Sequence, residues 1–599
     1  MAQVQPYRPQ YKQLPLTRRF WRAIRQYWPL YVMLIPGMLF FLVYKYAPMY
    51  GIQIAFKNYS LKKGISGSPW LTETGKPLLY WFQRFFKTPQ SRQIISNTLV
   101  LSLSKLLVGM LPPLIFALAI SECSFKRYSR VIQTVSYLPH FLSWVIIYGI
   151  CATMLGETSG VINNLFKKLG WNTVPFLNSS KYIRGVLVGS SLWQSIGWSS
   201  IVYLAAIAGI DTSMYEAATI DGCGRFRQIW YITLPNLGRI FVVLLITKVG
   251  NILDGGFNQV YVFMNDRVRA SAEIIDTWVY TQGLGKAQYS LTTAVGLMKS
   301  VLSCGLVLGT NALARKSKND IAFEILVLVI ITLVGLACLI PILFVISYSL
   351  TPMEEMLRNG GFSLIPRNIT FSAYKQMLND PTLMNAMKVS AFITIVGTAA
   401  NLVVTLMLAY PLSRSYLPGR KVFVQLIVFT MIFSAGTIPT YLIVKATGIL
   451  NTLWALILPS LVAVYNFIVM KAFFEGLPND LFESARIDGA GEFKILFSIV
   501  LPLSLPIVTT ISLYYAVAHW NVYTAAILYI QDTKLMPLQV ILRRMINSAS
   551  TGDLNIDDEI PPETLRMAAV CIATAPIVII YPFIQKYFVK GTLAGAVKG

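Results

Sequence analysis

The sequence predicts an all-α membrane protein made of two parallel repeats of six transmembrane helices, and three observations carry that prediction. Of 599 residues, 55% are hydrophobic and only 13% charged, with a mean hydropathy of +0.58, far more apolar than an ordinary soluble chain. Apolar runs of about twenty residues, the length that spans a ~30 Å hydrocarbon core, recur from end to end. A polar stretch interrupts them twice in one pattern. Tyr215–Pro235 reads YEAATIDGCGRFRQIWYITLP, and Phe482–Pro502, 267 positions later, reads FESARIDGAGEFKILFSIVLP. Glu, Ala, Ile, Asp, Gly, Gly, Phe, Ile, Leu and Pro recur in register, so the chain carries an internal repeat.

Met1–Trp28 holds Arg8, Lys12, Arg18, Arg19, Arg22 and Arg25 and no acidic residue, ahead of an apolar run from Pro29 to about Tyr46. The run is too long for a secretory leader, lacks an A-x-A cleavage site and precedes further spans, which predicts an uncleaved first helix with its N-terminus in the cytoplasm. Further spans are expected near 94–120, 132–155, 184–208, 239–260 and 289–313. Loops placed inside by this topology carry Lys126, Arg127 and Arg130, then Arg225 and Arg227, then Arg315, Lys316 and Lys318, as the positive-inside rule requires. Outside loops are expected to be longer and mixed in charge.

The second half begins again at about Ile321, with spans expected near 322–350, 383–411, 421–445, 453–475, 507–527 and 563–587. Arg414, Arg420 and Lys421 mark an inside loop, and Asp553, Asp557, Asp558 and Glu559 an outside one. Six spans per half return the chain to the cytoplasm, so both termini are expected there and the halves run parallel. The polar bridge Arg315–Asp320 joins two inside ends and divides the chain into halves 1–315 and 316–599. Each half places its polar stretch between a fourth and a fifth span, on the cytoplasmic side.

The net charge of +25 would suit nucleic acid, yet no basic run is interleaved with stacking aromatics. The six cysteines (Cys123, Cys151, Cys223, Cys304, Cys338, Cys571) have no CxxC spacing, and His140 and His519 are the only histidines, so neither a disulfide framework nor a metal site is supported. No stretch fits G-x-x-x-x-G-K-[ST]; Gly75-Lys76 is followed by Pro77. No catalytic residue, metal or cofactor is expected on this chain.

The repeated stretch reads as helix, turn, helix. Glu216-Ala217-Ala218 and Glu483-Ser484-Ala485 are small-residue helical turns that a partner backbone can approach, and Asp221-Gly222 and Asp488-Gly489 supply the break. Such an element cannot bury itself in its own loop and is expected to dock. Glu-Ala-Ala, Asp-Gly and Ile-x-Leu-Pro in this order resemble the EAA loop of the membrane subunits of ATP-binding-cassette importers, where it inserts into a cleft on the cytoplasmic ATPase. The second copy, with Ala490 and Pro506, matches the full pattern; the first has Cys223 and Arg239 instead.

The resemblance covers almost the whole chain. WPLYVMLIPG at Trp28–Gly37, YAPMYGIQIAFKNY at Tyr46–Tyr59 and QTVSYLPHFLSWVI at Gln133–Ile146 resemble one sugar-permease type. SLTPMEEML at Ser349–Leu357 and GTIPTYLIVKATGILNTLWALILP at Gly436–Pro459 resemble its usual companion. The resemblance implies a type I ABC importer-like fold and the two usual permease subunits in tandem, in the cell membrane of a bacterium. It also implies import of oligosaccharides, of the plant or algal polysaccharide class. Two ATPase subunits carrying ATP and Mg, an extracytoplasmic solute-binding protein and membrane lipid are the implied partners.

Asn251, Asp254, Gly255 and Asn258 fall at i, i+3, i+4 and i+7, which predicts one helical face in the fifth span. Asn521 stands 267 positions after Asp254, beside His519, Trp520 and Tyr523. Polar groups at membrane depth face protein or a wet cavity. Amides and carboxylates hydrogen-bond sugar hydroxyls while an aromatic face covers pyranose C–H groups, so Asn251, Asp254, Asn258, Trp520, Asn521 and Tyr523 are the candidate path residues. Interhelical hydrogen bonding is the competing reading. Lys105, Lys248, Lys299, Lys388 and Lys445 are expected to snorkel to an interface, and Trp193, Trp198 and Trp454 to serve belt or packing roles. Segments 47–93 and 528–562 are long for connectors and suit docking.

A secondary transporter of about twelve spans is the alternative function, because Asp221–Arg225 superficially matches a Gly/Asp/Arg loop motif of major-facilitator carriers. That motif belongs between second and third spans and would not recur here. A membrane-embedded enzyme would need clustered carboxylates or a nucleotide site, and none is present.

Overall fold

The computed structural model describes residues 25–313 apart from 124, 159, 251 and 252, then 343, 345–352, 355, 368–551, and 564–579 apart from 566. Every regular element of any length among them is helical. In the first half, α1 (Trp28–Phe41) opens on Pro29, where a missing N–H costs nothing. After a short helix α2 (Tyr80–Lys87), α3 (Ser91–Glu122) runs unbroken for 32 residues through Pro112 and Pro113. There follow α4 (Lys126–Tyr137), α5 (Trp144–Leu155), α6 (Ile183–Ala208), α7 (Thr212–Ile220), α8 (Leu234–Gly250), α9 (Phe257–Phe263) and α10 (Tyr289–Leu313).

In the second half, after a short helix at Ser372–Asn379, comes α11 (Pro381–Ser413), whose N-terminus is capped by the Asp380 carboxylate accepting from the Thr382 and Leu383 amides at 2.7 and 3.3 Å. Then come α12 (Arg420–Ile432), α13 (Thr437–Ala446), α14 (Val464–Glu475), α15 (Asn479–Ile487), α16 (Leu505–Trp520), α17 (Thr524–Tyr529), α18 (Leu538–Thr551) and α19 (Met567–Ile579). Phe392, Ile395 and Val403 of α11 stay exposed, as an outward face does when lipid is the solvent.

Spans expected to be single helices are broken in matching places. The run 132–155 turns by 107° between Phe141 and Trp144, and 421–445 turns by 118° between Ile432 and Thr437. Ser143 accounts for the first break, because its hydroxyl accepts from the Ile146 amide at 3.2 Å and starts α5 afresh. The run 453–475 bends by 50° before α14. The spans at 239–260 and 507–527 split as well. The expected span 322–350, the ends of 563–587 and the joint Arg315–Asp320 lie mostly or wholly outside the described residues.

Packing crosses the boundary between the halves. Helix α1 buries Leu30, Met33 and Phe41 in one cluster with Leu408, Tyr410, Phe474 and Phe482 of the second half. Gly37 makes the approach possible, since a Cβ there would sit 2.7 Å from Leu408 Cδ1. Tyr31 and Tyr46 donate to the carbonyls of Pro418 (3.0 Å) and Leu426 (2.8 Å). A second core joins Ile146 and Val260 to Trp520, Leu538 and Ala568.

Three intramembrane lysines differ from expectation. Lys105 donates to the Gly255 carbonyl at 2.8 Å, Lys248 to that of Gly109, and Lys299 pairs with Asp276 at 2.6 Å. They tie helices together instead of snorkelling, because in lipid an internal carbonyl or carboxylate is a nearer partner than the interface.

Candidate coupling loops and translocation path

Both repeated stretches fold as the pattern predicts. Helix α7 starts at Asp211, whose carboxylate accepts from the Ser213 amide at 3.0 Å; that hydrogen bond holds the Asp211 carboxyl below its usual range. Each helix ends on a left-handed glycine, Gly222 at φ +74° and Gly489 at φ +76°. The glycine amides donate three residues back, to Thr219 (3.1 Å) and Arg486 (3.0 Å). The next amides donate five back, Cys223 to Ala218 (2.8 Å) and Ala490 to Ala485 (2.9 Å). This double closure satisfies the last carbonyls of each helix. Cys223 in place of alanine leaves the geometry intact.

The turns face outward. Glu216, Ala217, Asp221 and Gly222 are exposed with Ala218 half-buried, and Glu483, Ser484, Asp488 and Gly489 are exposed with Ala485 buried. Ile220 and Ile487, at equivalent positions, are each 86% exposed. An isoleucine held open at the tip of a capped helix is an apolar knob with no pocket of its own.

The two loops are anchored by different chemistry. In the second, the Glu492 carboxylate accepts from Arg486 Nε at 3.1 Å and from the Tyr410 hydroxyl, and Arg486 also donates to the Tyr416 hydroxyl. Arg414 is buried, lies 3.9 Å from the Phe482 ring centroid and donates to the Phe474 carbonyl at 2.7 Å. In the first, Arg225 stands where the second has Glu492. There Gln228 donates to Thr219 Oγ1 (2.8 Å) and the Cys223 carbonyl (3.2 Å), and Tyr215 bonds Thr233 (2.9 Å). Sequence reasoning read Arg414 as an orientation charge and missed Tyr410, Tyr416 and Glu492 as anchors; Glu492 after the turn glycines was the available signal.

The fifth span is discontinuous in both halves. Helix α8 is described to Gly250, residues 253–256 are non-helical, and Gly256 at φ +83° precedes α9. Asp254 therefore lies in a non-helical turn, its carboxylate accepting from the Gly256 amide at 3.2 Å. Asp254, Gly255 and Asn258 do not share one continuous helical face, which corrects the periodicity reading; two consecutive glycines break the helix. Asp254 and Asn258 are both exposed, and Asn251 lies outside the described residues. At the matching place Asn521 ends α16, and α17 begins after Tyr523.

Asn521 sits on the seam between the halves. Its amide nitrogen donates to the Phe141 carbonyl at 2.8 Å and its oxygen accepts from Gln539 at 3.4 Å, while Ser143 donates to Gln539 Oε1 at 2.6 Å. Trp520 is buried in the core, its indole N–H donating to the Ala573 carbonyl at 2.9 Å. It offers no open platform to a sugar, which corrects the sequence expectation; a buried indole turns to the nearest carbonyl. Tyr523 is buried too, its ring 6.5 Å from that of Tyr261, which stacks on Phe257 at 5.4 Å.

The aromatic and amide lining appears instead one turn away. A cavity of about 370 Å³ is walled by His140, Phe141 and Trp198 of the first half and Tyr465, Asn466 and Tyr514 of the second. His140 stacks on Trp198 at 4.4 Å, and Tyr514 meets Trp198 edge-on at 5.8 Å. Phe141 lines the cavity while its carbonyl is held by Asn521. Trp198, expected to pack, lines this cavity together with Tyr465, Asn466 and Tyr514, for which the sequence raised no expectation. The polar Tyr465-Asn466 pair inside an apolar run was the signal.

The family described as "Binding-protein-dependent transport system inner membrane component" matches residues 109–319 and again 421–593. The chain belongs to that family. Each match contains one copy of the repeated stretch and one broken fifth span, so this inner membrane component is a tandem duplication with a type I importer fold. It is a multi-pass protein of the cell membrane and a transport component. Among relatives from Bacillus subtilis (strain 168), Protein LplB is 42% identical over 291 residues, 49% of this chain and 90% of that protein. The polygalacturonan/rhamnogalacturonan transport system permease protein YtcP is 43% identical over 282 residues, 46% of this chain and 98% of its own length. The crystal structure of a bacterial ABC transporter involved in the import of the acidic polysaccharide alginate aligns at 35% identity over 50% of this chain and 100% of that one, with a TM-score of 0.45.

Proposed function

We propose that the chain is the translocation pathway of an ATP-driven importer for oligosaccharides, fragments of complex plant or algal polysaccharides, with both halves supplied by one polypeptide. The observation that carries it is the pair of glycine-capped coupling helices, in register 267 residues apart, each holding an isoleucine out to a partner. Two ATPase subunits, one per loop, bind ATP and Mg and drive the cycle from the cytoplasm, where both termini lie. An extracytoplasmic binding protein delivers sugar to the opposite face. The printed name of YtcP supports the substrate class. The seam cavity, with aromatic walls and Asn466, suits a pyranose, whose C–H faces pack on rings while its hydroxyls find amides.

The test is uptake of labelled oligogalacturonate into proteoliposomes holding the chain, its ATPase and its binding protein. Uptake that stops on ATP depletion and survives proton and sodium uncouplers is expected. The reverse result assigns the chain to secondary transport.

A further inference from the structure

Residues 47–93 break the charge pattern expected of an outside loop. They carry seven Lys or Arg against Glu73 alone. The segment leads into α3 at Ser91, whereas the far end of α3, Glu122, senses the charge of Arg225 in the first coupling loop. A helix of 32 residues is about 48 Å long at 1.5 Å per residue, so this basic segment and the coupling loop occupy opposite membrane faces. The orientation rule disfavours such charge there.

A pocket of about 180 Å³ opens within this segment, lined by Asn58, Tyr59, Trp81, Arg84, Gln288 and Tyr289 among others. Its walls are fixed from behind. Trp81 donates its indole N–H to the Lys57 carbonyl at 3.0 Å, and the Ser290 hydroxyl accepts from the Tyr59 amide at 3.1 Å while donating to the Lys57 carbonyl at 2.9 Å. Tyr59 and Tyr289 meet edge to face at 5.8 Å. The Arg84 guanidinium lies over the Trp81 ring at 5.4 Å and belongs to none of the ion pairs among the described residues. A guanidinium held over an indole keeps its N–H donors for another partner, and a carboxylate is the group it can take bidentately. Ala287, at φ +55°, is one of two non-glycine residues in the left-handed region among the described residues, and it presents Gln288 at the rim. Such strain gathers at ligand clamps.

We propose that this pocket is a subsite for one uronic-acid unit of an acidic oligosaccharide, on the face opposite the coupling loops and outside the seam cavity. Arg84 takes the carboxylate, Asn58 and Gln288 take ring hydroxyls, and the tyrosines pack on C–H groups. The proposal rests on the oligosaccharide reading above. It adds the charge of the substrate.

Trigalacturonate and neutral maltotriose are titrated calorimetrically against the full-length chain in nanodiscs, as wild type, Arg84→Gln, Arg84→Lys and Gln288→Ala. Arg84→Gln is expected to weaken trigalacturonate by at least about tenfold, the loss of a charge-assisted hydrogen bond, with Arg84→Lys recovering part. Unchanged affinity in Arg84→Gln, or equal affinity of wild type for the neutral sugar, overturns the subsite. So does a defect confined to capture of the binding protein, which would make Arg84 a protein contact. ATP-driven uptake of both sugars by the assembled importer separates the two readings. No uptake of any oligosaccharide by wild type defeats the functional reading, whereas normal uptake with an unchanged KM for trigalacturonate in Arg84→Gln defeats the subsite alone.

Discussion

Gly489 and Gly222 have open space where a Cβ would go, so a substitution there is opposed by backbone conformation and not by collision. A left-handed non-glycine residue costs about 1–2 kcal/mol, more when β-branched. Gly489→Val is therefore expected to unwind the cap of α15 and abolish co-purification of the ATPase while membrane insertion persists. Gly489→Asn, which tolerates that region, should retain it. Normal ATPase capture by the valine variant would remove the docking role. At the seam, Asn521→Leu leaves the Phe141 carbonyl without its donor, a cost of roughly 1–3 kcal/mol. It is expected to lower substrate-stimulated hydrolysis with basal hydrolysis intact. Trp520→Ala should behave differently, because burial makes it a packing residue. Loss of about 3–5 kcal/mol should appear as a lower melting temperature with KM little changed; a raised KM at unchanged stability would return Trp520 to the path.

At the scale of elements, legibility depended on whether the determining contact was local. The capped helices of the repeated stretch were readable because Asp-Gly fixes a cap within six residues, and no distant group is needed to form it. The long helices α3 and α11 were readable from apolar length alone. The broken spans were not, because hydropathy is blind to direction. Ser143 caps α5 with one hydroxyl, and Gly255-Gly256 interrupts an otherwise periodic run, while the composition on both sides stays apolar. Tyr465, Asn466 and Tyr514 come together with His140 and Trp198 only through the contact of two halves, which no local pattern encodes. The same reasoning separates the two coupling loops. The second is held by an ion pair, Arg486 to Glu492 at 2.9 Å, with tyrosine hydroxyls around it; in the first, a glutamine amide bridges Thr219 and Cys223. Removing Glu492 costs about 1 kcal/mol as a part-exposed pair and releases Arg486 and Tyr410 together. Glu492→Ala is expected to reduce sugar moved per ATP hydrolysed more than Arg225→Ala does. Equal ratios in the two variants would show that both loops transmit motion alike.

For the molecule as a whole, the two halves are packed into each other across their sequence boundary. Helix α1 belongs to the first half by sequence and to the second by packing, with Gly37 against Leu408 and Tyr31 and Tyr46 bonded across. The seam adds a buried hydrogen bond from Ser143 to Gln539 and a part-buried one from Asn521 to Phe141, which neither half satisfies alone. In lipid, where apolar contact with a neighbouring helix gains little over contact with acyl chains, such close packing and internal hydrogen bonds are what hold helices together. A protease site placed within Arg315–Asp320 is therefore expected to yield two fragments that remain together through affinity purification in mild detergent and still transport when reconstituted. Coexpression of 1–315 with 316–599 as separate chains should do the same. The double variant Ser143→Ala with Asn521→Leu should weaken the cut protein while sparing the uncut one, because the covalent joint keeps the halves at high effective concentration. Fragments that separate as soon as the joint is cleaved would mean that the linker, and not the crossed packing, keeps the pathway assembled.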